Sequence, residues 1–315
     1  MGLSLEAVGL TKRFGSFTAL DHLNLKAEGS KCVGFLGPNG AGKTTTLKMF
    51  TDLIFPTEGE AFVNGISVQG DRKRALAPCG DLIETPEIYP SLTPREALEM
   101  SGALRGMRPE EIRSRTAVVL EEVKMSDWVD HKVGRFSKGM KQRVNIAASL
   151  LSDPEVVILD EPSNGLDPRG MAEVRDIVRA LKKERRLVFM SSHILSEVID
   201  VCDDVALIDH GKLLFFDTLA NMTQRLRGGV RAVEAEFASP VDEAVLAAQV
   251  GSLPEVAGWS LLDPQRVTLQ VKGGPVEQTR LLEKLAAMRL GLLSFRESRS
   301  ALEEVYLREI SMGEV

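Results

Sequence analysis

The stretch Gly37–Thr45, GPNGAGKTT, constrains this chain more than any other. It fits G-x-x-x-x-G-K-[ST], the pattern of a phosphate-binding loop. Residues 31–36 (KCVGFL) are apolar enough for a buried strand, and residues 44–51 (TTTLKMFT) can begin a helix. A strand, a glycine-rich turn and a helix start are the context the pattern requires. Gly37, Gly40 and Gly42 let the backbone take turns closed to other residues and approach a phosphate closely. Successive amide groups and the positive helix end then face the anion. In this pattern Lys43 reaches the β- and γ-phosphates, and the Thr44 hydroxyl ligates Mg2+.

With 315 residues the chain has room for two domains. Its 43% hydrophobic and 27% charged residues are ordinary for a globular protein. A net charge of −6 argues against a general affinity for nucleic acid. Cys32, Cys79 and Cys202 are widely spaced and odd in number, which fits reduced thiols in a cytosolic protein, not a disulfide framework or a zinc site. No apolar run approaches the ~18 residues of a membrane span. No basic-then-apolar start marks a signal peptide. Membrane association is therefore expected only through a partner.

Residues 3–10 and 19–27 alternate apolar and polar, as half-buried strands do. Between them, Phe14 beside Gly15 is placed to present a ring to a planar ligand such as adenine. Residues 56–65 read as a turn, a strand and a second turn at Asn64-Gly65. The prolines of 76–93 keep that stretch non-helical until Thr93-Pro94-Arg95-Glu96, which has the cap, first-turn proline and third-position glutamate of a helix start. Helical periodicity over 95–126 predicts a charged surface subdomain spanning about residues 90–150. Ser137 is placed to cap a helix from Gly139 through Leu151.

The apolar run Val156–Leu159 marks a strand covered on both faces. It ends in Asp160-Glu161, at the carboxyl end of a strand, where doubly wound sheets place their chemistry. Two adjacent carboxylates there point to a cation or a proton transfer. Residues 170–184 read as a helix, and 187–193 as a second buried strand ending in His193. Residues 196–202 read as a short helix, and 204–217 as a hairpin turning at His210-Gly211. From about residue 220 the character changes. Strands at 230–238, 266–272 and 292–297, with helices at 241–250, 276–289 and 301–310, suggest a small α+β domain of the ferredoxin-like type. The expected division is 1–222 and 223–315, the second part regulatory or dimerising.

Residues 1 to about 220 resemble the nucleotide-binding subunit of ATP-binding cassette (ABC) transporters, with the family's motifs in order. GPNGAGKTT resembles the Walker A loop, FSKGMKQR the signature sequence, VVILDE Walker B, SNGLD the D-loop and SSH the switch-histidine region. The resemblance implies an α/β P-loop cassette with a mixed sheet and a helical subdomain. It implies that Phe14 stacks on adenine. Gly37, Pro38, Asn39, Gly40, Ala41, Gly42, Lys43, Thr44 and Thr45 would hold the phosphates. Asp160 would support Mg2+ with Thr44, Glu161 would act as general base, and His193 would sense the γ-phosphate. Ser137, Lys138, Gly139 and Met140 would meet the ATP of an opposite subunit, and Asp167 would link the two sites. The implied partners are a second cassette, the same chain or another, and a separate transmembrane permease.

Several positions depart from the family's usual pattern. Glu84 aligns with the glutamine loop, where a carboxylate can still reach Mg2+ or its water. Lys138 replaces a signature glycine, Met140 a glutamine, Ser163 the commoner Thr, and Phe14 the commoner Tyr. These departures resemble the ATP-binding subunits of ABC-2-type exporters, including those tied to bacitracin or lantibiotic resistance, sodium extrusion and copper-site maturation. The permease would dock on residues 84–100 and the helical subdomain, with Tyr89 among the contacts. The competing readings are a soluble ABC protein remodelling DNA or ribosomes and a regulatory cassette without turnover. The stretch from Lys43 to Ser137 leaves no room for the coiled-coil insertion of DNA-repair relatives, and Glu161 with His193 argues against a regulatory cassette.

Overall fold

A computed structural model describes residues 2–84, 87–221 and 230–297. The chain divides into two compact units, Met1–Leu219 and Ala220–Val315.

The first unit opens with an antiparallel hairpin of β1 (Ser4–Phe14) and β2 (Phe17–Glu28). Their alternation buries Leu5, Ala7, Leu20, Leu23 and Leu25 on one face. β4 (Glu58–Val63) and β5 (Ile66–Ser67) extend this sheet in the order β2-β1-β4-β5.

The second sheet carries the chemistry. It contains β3 (Cys32–Leu36), β6 (Cys79–Leu82), β7 (Val156–Leu159), β8 (Leu187–Ser192), β9 (Asp204–Asp209) and β10 (Lys212–Thr218), in the order β10-β9-β3-β8-β7-β6. All pairings are parallel except that of β10 with β9. β3, β7, β8 and β9 are buried along their whole length, as continuous apolar runs in a covered parallel sheet should be. Because β3, β8 and β7 are neighbours and parallel, the residues that follow their carboxyl ends meet at one edge. Phe189 of β8 packs its ring 5.4 Å from Phe35 and 5.9 Å from Phe50, tying α1 (Lys43–Phe50) to the sheet.

Two elements here had no signal in the periodicity, α2 (Arg72–Leu76) and β6. β6 is a four-residue edge strand, Cys-Gly-Asp-Leu, too short and too polar to stand out. Its Gly80 is forced by packing, because a Cβ there would lie 2.0 Å from the Ser149 carbonyl oxygen.

The helical layer holds α3 (Pro94–Leu104), α4 (Pro109–Glu122) and α5 (Lys138–Leu150). The start at Thr93 is as expected. The Glu96 amide donates to Thr93 Oγ1 at 3.2 Å, and the Thr93 amide donates to Glu96 Oε2 at 2.7 Å. The helical periodicity of 95–126 resolves into two helices, interrupted where Gly106 takes φ 75° and restarted at Pro109. α6 (Pro168–Lys183) and α7 (Leu195–Val201) complete the unit.

The second unit runs β11 (Val230–Phe237), α8, β12 (Val256–Asp263), β13 (Arg266–Lys272), α9 (Pro275–Ala287) and β14 (Leu292–Glu297). α8 is one α turn, Glu243–Val245, running into a π turn, Leu246–Val250. The antiparallel sheet has the order β12-β13-β11-β14. This is the βαββαβ ferredoxin-like arrangement. Val233, Phe237, Leu246, Val250, Leu269 and Leu281 form its core. β12 (VAGWSLLD) escaped the sequence reading because a glycine interrupts its alternation. The helix expected at 301–310 lies outside the described residues.

Candidate active site

The loop after β3 arrives as the sequence predicts, and α1 begins at Lys43. Gly42 precedes it at φ 104°, a conformation that only glycine takes without strain. A Cβ there would also lie 2.7 Å from the Ala19 carbonyl oxygen. Within the loop the Ala41 amide donates to the Pro38 carbonyl oxygen at 3.2 Å. The amides of Asn39, Gly40, Gly42, Lys43, Thr44 and Thr45 find no protein acceptor among the described residues. A run of unpaired donors at a helix start is a cradle for an anion with several oxygens, so a polyphosphate fits.

Lys43 is almost wholly buried, 4% exposed. Its ammonium donates to the carbonyl oxygens of Gly37 at 2.8 Å and Pro38 at 3.0 Å, and lies 3.2 Å from Glu161 Oε1. Thr44 Oγ1 donates to Asp160 Oδ2 at 2.9 Å. This hydroxyl and carboxylate are hard oxygen donors of the kind Mg2+ takes, alongside phosphate oxygens. Glu161 adopts φ 43°, a left-handed conformation that is strained for a residue with a Cβ. Its amide is held by Ser191 Oγ at 2.8 Å. Glu161 Oε2 lies 3.1 Å from His193 Nδ1. Lys43, Thr44, Asp160, Glu161 and His193 are thus one connected cluster at the carboxyl ends of β3, β7 and β8.

The other expected site residues lie as follows. Phe14 is half exposed at the end of β1, with the Lys12 ammonium 5.0 Å from its ring centroid. Glu84 is not joined to Thr44 or Asp160 by any hydrogen bond. Its carboxylate pairs with Lys48 of α1 at 2.5 Å and is largely exposed. Ser137 caps α5, accepting from the Met140 amide at 3.2 Å. The helix therefore starts at Lys138, one residue before the expected Gly139. Ser137 and Lys138 are exposed and Gly139 and Met140 partly so, and none of them is hydrogen-bonded to the Lys43 cluster. Lys138 lies over Gly165, whose φ is 66°, so closely that a Cβ there would stand 2.2 Å from Nζ. Asp167 is exposed and caps α6 through the Gly170 amide at 2.8 Å.

Two site residues escaped the sequence reading. Ser191 donates to Asp160 Oδ1 at 2.6 Å while accepting from the Glu161 amide, so it fixes both acids. The signal available was a serine near the end of an apolar strand, just before the histidine. Gln142 of α5 donates to the Pro162 carbonyl oxygen at 2.9 Å and is buried, tying the signature helix to the turn after Glu161.

A glycine-rich loop with unpaired amides, a buried lysine and an acid pair at the neighbouring strand end define a P-loop nucleotide-binding protein. Comparison with known proteins makes this more specific. The family model described as ABC transporter matches residues 20–164. The bacitracin transport ATP-binding protein BcrA of Bacillus licheniformis is 43% identical over 217 residues, 68% of this chain and 69% of that protein. The daunorubicin/doxorubicin resistance ATP-binding protein DrrA of Streptomyces peucetius is 33% identical over 309 residues, 96% of this chain and 91% of that protein. That likeness therefore runs through the second unit as well. A solved ATP-binding subunit of an ABC transporter matches with a TM-score of 0.63 and 28% identity, over 71% of this chain and 94% of its own. The chain belongs to the family of ABC transporter ATP-binding proteins, ATPases coupled to transport.

Proposed function

We propose that this chain binds and hydrolyses ATP to power an ABC-2-type membrane exporter whose permease is a separate chain. The observation that carries the reading is the convergence of Glu161, Lys43 and His193 beside a loop of unpaired amides. The likeness to a bacitracin transport protein and a drug resistance protein favours an exporter over a soluble remodelling module.

The mechanism follows from the residues. The loop amides and Lys43 hold the phosphates. Phe14 offers a ring to the adenine. Thr44 and Asp160 would hold Mg2+, which neutralises charge on the phosphate oxygens. Glu161 Oε accepts a proton from the water that attacks the γ-phosphorus, and His193 keeps the Glu161 carboxylate aimed. Glu84, directed at Lys48, would reach the ion only after leaving that lysine. The exposed Ser137, Gly139 and Met140, with Lys138, are available to a second cassette, identical or different, with Asp167 beside them.

No helix among the described residues is long and apolar enough to cross a membrane, so a permease would hold the chain at the inner face of the membrane. A groove of about 240 Å3 lined by Ile88, Met100, Arg105, Val144 and Ala148 supports docking there, next to the exposed Tyr89. The second unit is proposed to regulate or dimerise, with no nucleic acid partner.

The test is Mg-ATP turnover and oligomeric state of the wild type beside Glu161→Gln. The expected result is turnover in the wild type, and an inactive variant that dimerises with ATP. Turnover in Glu161→Gln equal to that of the wild type would refute the assignment of the base.

A further inference from the structure

The turn that carries His193 is held by a residue outside the site described so far. Glu197 lies one turn further on, in α7, and is buried, with 7% of its surface exposed. Its Oε2 accepts from Ser192 Oγ at 3.0 Å. Ser192 Oγ in turn accepts from the Ile194 amide at 2.9 Å, so the two bonds bracket His193. The other carboxylate oxygen, Oε1, is buried and has no partner. A carboxylate oxygen taken out of water without a hydrogen bond is costly, and such atoms are rare unless a water or ion serves them.

A space suited to that water is present. A cavity of about 10 Å3 is lined by Glu197, Ser163 and Arg175, with Val174, Val178 and Met190. That volume matches a single water, which needs two to four polar partners. Ser163 stands in the turn that follows Glu161 and is buried. Arg175 stands on α6 and already pairs with Asp200, which leaves further guanidinium donors for a neighbour.

We propose that Glu197 is a positioning residue for ATP hydrolysis. One of its oxygens holds Ser192, and the other holds a buried water that bridges to Ser163 and Arg175. The water donates to Glu197 Oε1 and to Ser163 Oγ and accepts from the Arg175 guanidinium, so three partners satisfy it. The bridge ties the turn carrying His193 to the turn that follows Glu161, and base and sensor keep one geometry. The inference rests on the assignment of Glu161 and His193 to hydrolysis.

The test uses the full chain in three variants, Glu197→Met, Glu197→Gln and Ser163→Ala. Met keeps the length of Glu197 and makes neither bond, while Gln keeps the shape, accepting from Ser192 through its oxygen and donating to the water through its NH2. Loss of aim acts on the chemical step, so Glu197→Met is expected to lower kcat about ten- to a hundredfold with KM for ATP within about threefold. Glu197→Gln recovers most of that loss, and Ser163→Ala falls between. A crystal structure of the wild type at high resolution is expected to show a water within hydrogen-bond reach of Glu197 Oε1. A dry cavity, or wild-type kcat in Glu197→Met, overturns the proposal. Should Glu197→Met fail to fold, wild-type kcat in Ser163→Ala overturns it equally. Failure of the underlying reading shows separately, as wild-type turnover in Glu161→Gln.

Discussion

The lysine that should meet the phosphates is paired in this structure with the base that should act on them. Lys43 Nζ lies 3.2 Å from Glu161 Oε1, with the lysine 4% and the glutamate 19% exposed. Any nucleotide that draws Lys43 to its phosphates must loosen this pair. Glu161→Gln removes the competing charge and keeps the side-chain length. Exposed ion pairs are worth up to ~1 kcal/mol, and breaking buried ones costs ~3 kcal/mol or more. This pair sits between the two, so about 1–2 kcal/mol is released to nucleotide binding. Lys43 still donates to Gly37 and Pro38 in either protein, so among the contacts of Lys43 only this one changes.

A release of 1–2 kcal/mol corresponds to about 5- to 30-fold tighter binding. The assay is calorimetric titration with ADP, which carries the β-phosphate and is not turned over. ADP should bind Glu161→Gln more tightly than wild type by that factor, less so at high salt. Equal affinity within twofold would refute the argument. It would mean that the Lys43–Glu161 contact does not compete with the phosphates for Lys43. Glu161→Ala gives a check on the cause, since it also removes the charge and should tighten binding similarly.

Other outcomes follow from residues away from the nucleotide. Gly80→Ala would drive a Cβ to 2.0 Å from the Ser149 carbonyl oxygen, a backbone atom that cannot rotate away; a loss of about 3 kcal/mol and a fall in Tm of roughly 5–10 °C are expected, and an unchanged Tm would refute the packing. Burial raises the Glu122 carboxyl above its usual value against the pull of Arg186, and its Oε2 has no partner. The folded state therefore holds the proton more tightly than the unfolded one, and stability falls as pH rises past 4.5. Glu122→Gln should melt above wild type at pH 8, with the gap closing towards pH 5, and a gap independent of pH would exclude titration as its cause. Cys32, Cys79 and Cys202 are all buried, with burial pushing the Cys79 thiol up to about 12 and the Cys202 thiol raised by its contact with Cys32 and by burial. A disulfide reagent should leave the native protein unlabelled and react with all three thiols only after denaturation; rapid stoichiometric labelling of the native chain would count against this core.

What the sequence discloses and what it hides divide along a physical line. The phosphate loop, the acid pair and His193 are legible because each is a local rule. Glycines permit the turn around Gly42, a lysine and a threonine follow at fixed offsets, and the buried strands end in an acid at Leu159-Asp160 and an imidazole at Ser192-His193. Fully buried strands such as Val156–Leu159 stand out because both faces must be apolar. Short edge elements do not. β6 has four residues, and its defining feature, Gly80 against the Ser149 carbonyl, is a contact between segments far apart in the chain.

The same holds inside the site. Ser191 serves Asp160 and Glu161 at once, yet a serine in a strand carries no local signature of that role. The expected use of Glu84 at the ion met a competitor that the sequence could not display, the Lys48 ammonium one helix away. Each of these hidden pairings joins segments far apart in the chain, Ser191 to the acids across the neighbouring strands β8 and β7, and Glu84 after β6 to Lys48 on α1. The chemical groups are thus written locally, while their aim is set by topology. Substitutions that keep every motif intact, such as Glu197→Met or Gly80→Ala, are therefore the ones able to separate the presence of a catalytic group from its function.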